Sequence, residues 1–244
     1  MDQDRKRTID KAMLEYAQHL DEVKKRTQRE TGDGYYEIWD FNASFANLML
    51  SVKLGGNWDR ESLLGRGFYL MMSEAYLLHE LVAQGNYYPS LRELRFLLEF
   101  AKRASVLDLE MDGRTAADKL VEYEVREYDN RPDFRGGGLQ LKLKSALGLT
   151  ADESEAIRDL FDSLSSHAHG SASEISVIGH GRSTMRDYSR ELFDEAYKNT
   201  AAVADIYFLL LVKRGMITSA DVRIPATLSG LFPLSYQYLK VSGD

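Results

Sequence analysis

Apolar side chains recur at helical spacing along most of the chain, and the first such pattern lies in residues 3–30. Five apolar positions there are separated by intervals of 4, 3, 4 and 3 residues: Ile9, Met13, Tyr16, Leu20 and Val23. Such a narrow seam is typical of one helix packing along another. The segment TGDG at 31–34 ends the pattern, which predicts a long N-terminal helix over residues 1–32. The seam either packs on the rest of the chain or contacts a second copy.

Helical periodicity also accounts for most of the remaining sequence. We predict further helices over residues 35–54, 58–85, 90–111, 113–129, 151–170 and 184–214. Thr150 and Glu153 form a capping box at the start of the helix over 151–170, and Gly170 is placed to end it. Alternating patterns typical of strands are nearly absent. The sequence therefore predicts an all-α, multi-helix bundle in a single domain of residues 1–244.

The clearest break in this pattern is the segment NRPDFRGGGLQ at 130–140. It contains a proline and three consecutive glycines, which disfavour continuation of a helix. We expect a Gly/Pro-rich loop here, either mobile or marking a boundary between two halves of the chain. The three glycines do not have the spacing of a phosphate-binding loop.

The composition narrows the range of functions. The chain has 244 residues and no cysteine, which excludes disulfides, thiolate zinc sites and a cysteine nucleophile. Its net charge of −7 disfavours broad, nonspecific binding to a polyanion, although a local basic patch remains compatible with it. The longest apolar run, at 206–212, is far shorter than the ~20 residues that span a bilayer, and the N-terminus lacks a signal-peptide pattern. We expect a cytoplasmic protein with no membrane contact and no cofactor.

Two histidines close together form the first candidate site. His167 and His169 lie in the segment SLSSHAHGSASE at 163–174, beside the hydroxyl of Ser165. Imidazole is a common metal ligand and proton carrier. On a helix, however, residues two apart point about 200° apart, and no recognised ligand spacing accompanies the pair. We therefore expect no metal ion, and the segment is either a polar helix end or a site with another role.

A stripe of charge on a largely apolar helix forms the second candidate. Arg92, Arg95 and Glu99 follow helical spacing on the segment over 90–111, and charges on such a helix need partners. Two other polar residues lie in apolar surroundings. We expect His79 to be a hydrogen-bonded core or boundary histidine, and Asp205 to pair with a nearby Arg or Lys or else to belong to a site.

These two candidates occur in an order that resembles the HEPN superfamily of α-helical domains. The segment LRELRFLLEFAKRASVLD at 91–108 is followed by LFDSLSSHAHGS at 160–171, and the resemblance covers about residues 60–214. It implies a helical scaffold and a homodimer. Active ribonucleases of the superfamily carry an arginine followed after four to six residues by histidine. Here Arg158 precedes His167 with eight residues between them, so the resemblance does not extend to catalysis.

Three hypotheses for function follow. The first is a noncatalytic HEPN-like binding or regulatory module, set in stress or defence systems, in which Arg92, Glu99 and Ser165 contact a ligand. The second is a metal-independent, toxin-like ribonuclease with His167, His169 and Arg95 as catalytic residues. The third is a structural assembly protein built on the N-terminal seam. A homodimer is expected, with a protein or RNA as a further partner.

Overall fold

The computed structural model describes residues 3–52, 54, 58–168, 188–218, 222 and 230–239, and all of their regular secondary structure is helical. The all-α prediction and the long N-terminal helix are confirmed. None of the helices in these ranges has the length and apolar character needed to cross a bilayer. The helices are α1 (Gln3–Thr31), α2 (Asp33–Ser51), α3 (Trp58–Glu61), α4 (Leu63–Ala83), α5 (Tyr87–Glu110), α6 (Ala116–Tyr128), α7 (Gly136–Leu147), α8 (Ala151–Ala168), α9 (Arg190–Lys213) and α10 (Tyr236–Leu239), with a 3-10 turn at Pro132–Phe134.

Helix α5 lies at the centre of the bundle, as its wide apolar face predicts. Its leucines at 91, 94, 97 and 98 have no exposed surface, and α4, α6, α7, α8 and α9 all pack against it. The hydroxyl of Tyr207 on α9 donates a hydrogen bond to the carbonyl of Leu97 at 3.0 Å. One continuous apolar core joins α2 to α10 around this helix. Charged residues on α5 are therefore surrounded by neighbouring helices on most sides.

The helix predicted over 58–85 is interrupted at Ser62, which caps the start of α4. The carboxylate of Asp108 on α5 accepts hydrogen bonds from the Ser62 hydroxyl and from the backbone N–H groups of Leu63 and Leu64, at 2.9 and 3.1 Å. The ammonium of Lys119 lies 3.2 Å from the same carboxylate. The negative charge satisfies the free N–H groups of the α4 N-terminus, which explains the break. This partner is distant in sequence, so local periodicity did not reveal it.

The break predicted over 130–140 is shorter than the sequence suggested. The three glycines do not form a loop but begin α7 at Gly136, so the irregular part lies between α6 and residue 135. A Cβ atom on Gly138 would lie 2.3 Å from the carbonyl oxygen of Pro132. The glycine therefore permits a close backbone approach between the 3-10 turn and the first turn of α7.

The capping box predicted at the start of α8 is confirmed. The backbone N–H of Thr150 donates to the Glu153 carboxylate at 2.8 Å, and the N–H of Glu153 donates to the Thr150 hydroxyl at 3.2 Å. Helix α8 continues to Ala168, while the predicted stop at Gly170 lies outside the described residues. The same holds for residues 184–187 of the last predicted helix, because α9 begins after its cap at Ser189.

Helix α1 packs on the bundle only through its second half. Val23 and Thr27 are buried, and Lys24 forms an ion pair with Glu80 of α4 at 2.9 Å. In contrast, every side chain from position 6 to position 18 is exposed, including Ile9 at 41% and Met13 at 65%. The N-terminal part of the predicted seam therefore does not pack against its own bundle.

Candidate functional site

The charged stripe of α5 meets α8 at Ser165. The Nε of Arg95 donates a hydrogen bond to the Ser165 hydroxyl at 3.1 Å, and that hydroxyl donates to the carbonyl of Phe161 at 2.7 Å. The guanidinium carbon of Arg95 also lies 5.3 Å from the centre of the Phe161 ring. A serine hydroxyl can accept and donate at once, so these contacts fix the Arg95 side chain against one turn of α8.

Glu99 links Arg95 to the interior of the protein. One of its oxygens lies 3.6 Å from Arg95, and the other accepts a hydrogen bond from Arg103 at 2.5 Å. The Arg103 side chain is almost fully buried, and it also donates to the Tyr123 hydroxyl, the Glu127 carboxylate and the Phe134 carbonyl. Burial alone would lower the pKa of Arg103, but these acceptors raise it above its usual value. Arg103 therefore stabilises the packing of α5 against α6 and the 3-10 turn.

Lys102 differs sharply from its neighbour. Only 3% of the residue is exposed, and its ammonium lies 4.3 Å from the centre of the Phe161 ring, the same ring that Arg95 contacts. Among the described residues the ammonium has no hydrogen-bond acceptor and no ion pair within 4 Å. Burial lowers the pKa of Lys102 to about 8, partly opposed by the charges of Glu99 and Asp162. The side chain is thus buried, but its ammonium is not among the fully enclosed polar atoms.

Arg92 lies one turn before Arg95 on the same stripe. Its side chain is exposed, and it makes no ion pair within the described part of the chain. Lys102, late in α5, contacts Phe161 of α8, and Arg95, earlier in α5, contacts Ser165, later in α8. The two helices therefore run antiparallel. The turn that carries Arg92 therefore lies towards the C-terminal end of α8.

Four of the six predicted site residues can be placed by their side chains. Arg95, Glu99 and Ser165 form one contact network, and Arg92 follows on the same helix face. The backbone of His167 belongs to α8, two residues beyond Ser165, but its side chain lies outside the described part, as does all of His169. The grouping of the stripe with the end of α8 is thus observed at Ser165, and the role of both histidines stays a prediction.

Sequence reasoning missed Lys102, Phe161 and the exposed ring of Phe96. The helical spacing that selected Arg92, Arg95 and Glu99 continues to position 102, and that continuation could have identified the lysine. Phe96 was hidden because aromatic residues on an apolar helix are usually core. In the structure 49% of Phe96 is exposed, directly beside the two arginines in sequence.

Asp205 does not have the basic partner that the sequence suggested. Its buried carboxylate accepts hydrogen bonds from the backbone N–H groups of Leu234 and Ser235, both at 2.8 Å, and from the Ser235 hydroxyl at 2.6 Å. No Lys or Arg pairs with it in the described ranges. The prediction of a cationic partner was wrong because backbone donors satisfy a carboxylate equally well. Burial raises the pKa of Asp205.

His79 is buried, as expected, but it is not hydrogen-bonded. Neither ring nitrogen has a partner among the described residues, and the ring instead contacts Trp39 and Tyr35, with centroids at 4.1 and 5.7 Å. Burial lowers the pKa of His79 to about 4. Among all the residues that the structure describes, no group of three or more His, Asp or Glu side chains is arranged to hold a metal ion.

Comparison with known proteins adds no relative from which a function could be transferred. No protein-family model, curated protein or solved structure gives a significant match to the chain. The resemblance to the HEPN superfamily therefore stays a prediction, and function has to be argued from the residues between α5 and α8.

Proposed function

We propose that the chain is a noncatalytic, HEPN-like helical module that binds single-stranded RNA at the seam between α5 and α8, and that it acts as a homodimer. The observation that carries this proposal is the exposed ring of Phe96, which follows Arg95 in sequence and lies one helical turn after the exposed, unpaired Arg92. Cations that hold phosphates, together with exposed rings on which bases stack, are the usual elements of single-strand recognition.

The chemistry of the individual groups supports this ligand. Arg92 is exposed and unpaired among the described residues, so it can contact a phosphate without losing an internal bond. The Arg95 guanidinium is held by Ser165 and is therefore already oriented before a ligand arrives. The net charge of −7 disfavours nonspecific binding of RNA, so a contact would depend on local groups such as Arg92.

The proposal is tested by fluorescence anisotropy with a short, labelled single-stranded RNA of mixed sequence. Arg92→Ala and Phe96→Ala are each expected to weaken binding, Phe96→Ala by roughly 5- to 150-fold, because a stacked base contributes about 1–3 kcal/mol. Arg92→Ala is also expected to reduce the salt dependence by about one ion. Arg158→Ala is the matched control, because this arginine is exposed on α8 and pairs with Glu155 and Asp159.

Two results would contradict the proposal. One is the absence of RNA binding by the wild-type protein, which would favour a protein partner. The other is binding that Arg92→Ala and Phe96→Ala leave unchanged, which would place the RNA elsewhere on the molecule.

A metal-independent ribonuclease is the second candidate. Arg95 of α5 donates a hydrogen bond to Ser165 of α8, and His167 follows Ser165 by two residues. In that mechanism a histidine would take the proton of the ribose hydroxyl and Arg95 would stabilise the charge on the phosphate. Incubation with the same RNA distinguishes the two functions. Cleavage that is lost in His167→Ala or His169→Ala supports the ribonuclease, whereas RNA that stays intact while bound supports the noncatalytic module.

A further inference from the structure

Two exposed apolar stripes on different helices are not explained by the bundle or by the α5–α8 seam. The first is the N-terminal seam of α1, represented by Ile9 and Met13. The second lies on α6, where Val121, Val125 and Tyr128 are 62%, 47% and 87% exposed and follow one helical face. Isolated exposed apolar residues are common, but a continuous stripe marks an interaction surface.

The α6 stripe is short enough to lie along the exposed part of α1. At 1.5 Å per residue, Val121 to Tyr128 span roughly 10 Å and the exposed positions 6–18 of α1 roughly 18 Å. Both are single helix faces that can pack along another helix.

The two stripes are also complementary in charge. The α6 stripe is bordered by exposed acidic residues on its two sides, Asp118 on one and Glu124 on the other, while Glu127 is paired with Arg103. Lys119 and Arg126, the basic residues of α6, are buried in internal ion pairs and do not offset this charge at the surface. The α1 stripe begins with the basic sequence DRKR at 4–7, in which Lys6 is exposed. Opposite charges along a shared contact select the partner and its orientation.

We propose that the occupant of the α6 stripe is the N-terminal part of α1 from a second copy of this chain, with each copy inserting its α1 on the α6 of the other. Pairing of α6 with α6 would place acidic residues against each other. Parallel pairing of α1 with α1 would bring two DRKR segments together. An antiparallel α1 pair would separate the basic segments too, but it would leave the α6 stripe uncovered. A reciprocal contact avoids both repulsions, covers both stripes and produces a closed, twofold dimer.

Reciprocity also increases the area that a dimer would bury. Stable interfaces bury about 1,200–2,000 Å² in total, which is more than one pair of short helices supplies. Two equivalent helix contacts double the area buried by one. This inference rests on the proposed homodimer and assigns its contact surfaces to the α1 and α6 stripes. It does not depend on RNA binding.

The test is the molar mass of the full chain in solution, measured by light scattering over a range of concentrations. The wild-type protein is expected to be a dimer. Ile9→Glu/Met13→Glu and Val121→Glu/Val125→Glu are each expected to raise the dissociation constant at least about tenfold. All four positions are exposed, and circular dichroism checks that the fold is retained. Leu141→Glu is the matched control, because this residue is 71% exposed on α7 and outside both stripes.

Charge reversal identifies which surfaces meet. Lys6→Glu and Glu124→Lys are each expected to weaken the dimer several-fold, and the chain that carries both is expected to recover it. Recovery is not expected if α1 pairs with α1 or α6 with α6.

The outcomes separate the two proposals. A wild-type monomer overturns both the homodimer and its surfaces. A dimer that either double glutamate variant leaves intact, or that the combined charge reversal does not restore, overturns the assignment of α1 and α6 but not the homodimer itself.

Discussion

Lys102 and Arg103 are adjacent on α5 and almost equally buried, with 3% and 4% of their surface exposed, yet their surroundings are opposite. Arg103 donates to two carboxylates, a phenol and a carbonyl. Lys102 has no hydrogen-bond acceptor among the described residues; its ammonium lies over the Phe161 ring, and the charges of Glu99 and Asp162 act on it from further away. Because α5 turns by about 100° per residue, Arg103 points towards α6 and the 3-10 turn, and Lys102 points towards α8.

The difference separates a charge that serves the fold from one that the fold does not explain. A buried arginine with all its donors used stabilises the arrangement of three segments. Lys102 has a lowered pKa and no hydrogen-bond acceptor among the described residues, and groups perturbed in this way are frequent at functional sites. The contrast therefore groups Lys102 with Arg95 on the α8 side of α5, while the exposed Phe96 lies on the neighbouring face, next to Phe100.

The largest expected effect comes from removing Arg103. Arg103→Met removes the donor shared by Glu99, Glu127 and Tyr123. Because Glu99 keeps Arg95 at 3.6 Å and both carboxylates are partly exposed, we expect the free energy of unfolding to fall by about 2–3 kcal/mol. Urea unfolding followed by circular dichroism measures it. A loss below about 1 kcal/mol would contradict the statement that Arg103 and its acceptors stabilise the fold.

His79 extends the comparison to a second buried base without a hydrogen-bond partner. Its pKa is lowered to about 4 in the folded protein, against an ordinary 6.5, so between these values the unfolded chain binds more protons. The part of the unfolding free energy that depends on neutral His79 is therefore fully present above pH 6.5. It is lost as the pH decreases, by about 2 kcal/mol at pH 5. We expect urea unfolding at pH 7.5 and pH 5 to show this loss, and His79→Leu to remove that part of it. An identical pH dependence in the variant would contradict the assignment.

Replacing Lys102 is expected to have a smaller effect of the opposite sign. Lys102→Met removes the uncompensated charge and should raise the free energy of unfolding at pH 7 by about 1 kcal/mol. Because the folded pKa is about 8 and the ordinary value 10.5, the unfolded chain binds more protons between them, and wild-type stability rises with pH in that range. The advantage of the variant should therefore shrink from pH 7 to pH 10. Destabilisation by Lys102→Met at pH 7 would show that the lysine serves the fold.

Local patterns predicted the helices, while contacts between distant residues decided where the predictions failed. The spacing of apolar residues located α1, α5 and α8, and the capping box at Thr150 and Glu153 is present as expected. The break at Ser62 depends on Asp108, and the satisfaction of Asp205 depends on Leu234 and Ser235. No local pattern encodes such pairs.

The candidate site was predictable in part for the same reason. The spacing of Arg92, Arg95 and Glu99 on one helix face is a local property, and the structure confirms that Arg95 and Glu99 are in contact. That this face meets α8 at Ser165 is a tertiary contact, proposed from the sequence but observed only in the structure. Whether Lys102 or Arg103 would find acceptors depended on which neighbour each side chain faces, and composition carries no information about that.

The most direct test of the central claim is the pKa of Lys102, measured by NMR on protein with ¹³C-labelled lysine and assigned with Lys102→Met. We predict a value near 8 for the protein alone. Addition of the short single-stranded RNA should raise this pKa, because a phosphate beside the ammonium favours its charged form. An ordinary lysine pKa, or a lowered pKa that saturating RNA does not change, would contradict the assignment of the α5–α8 seam as the binding site.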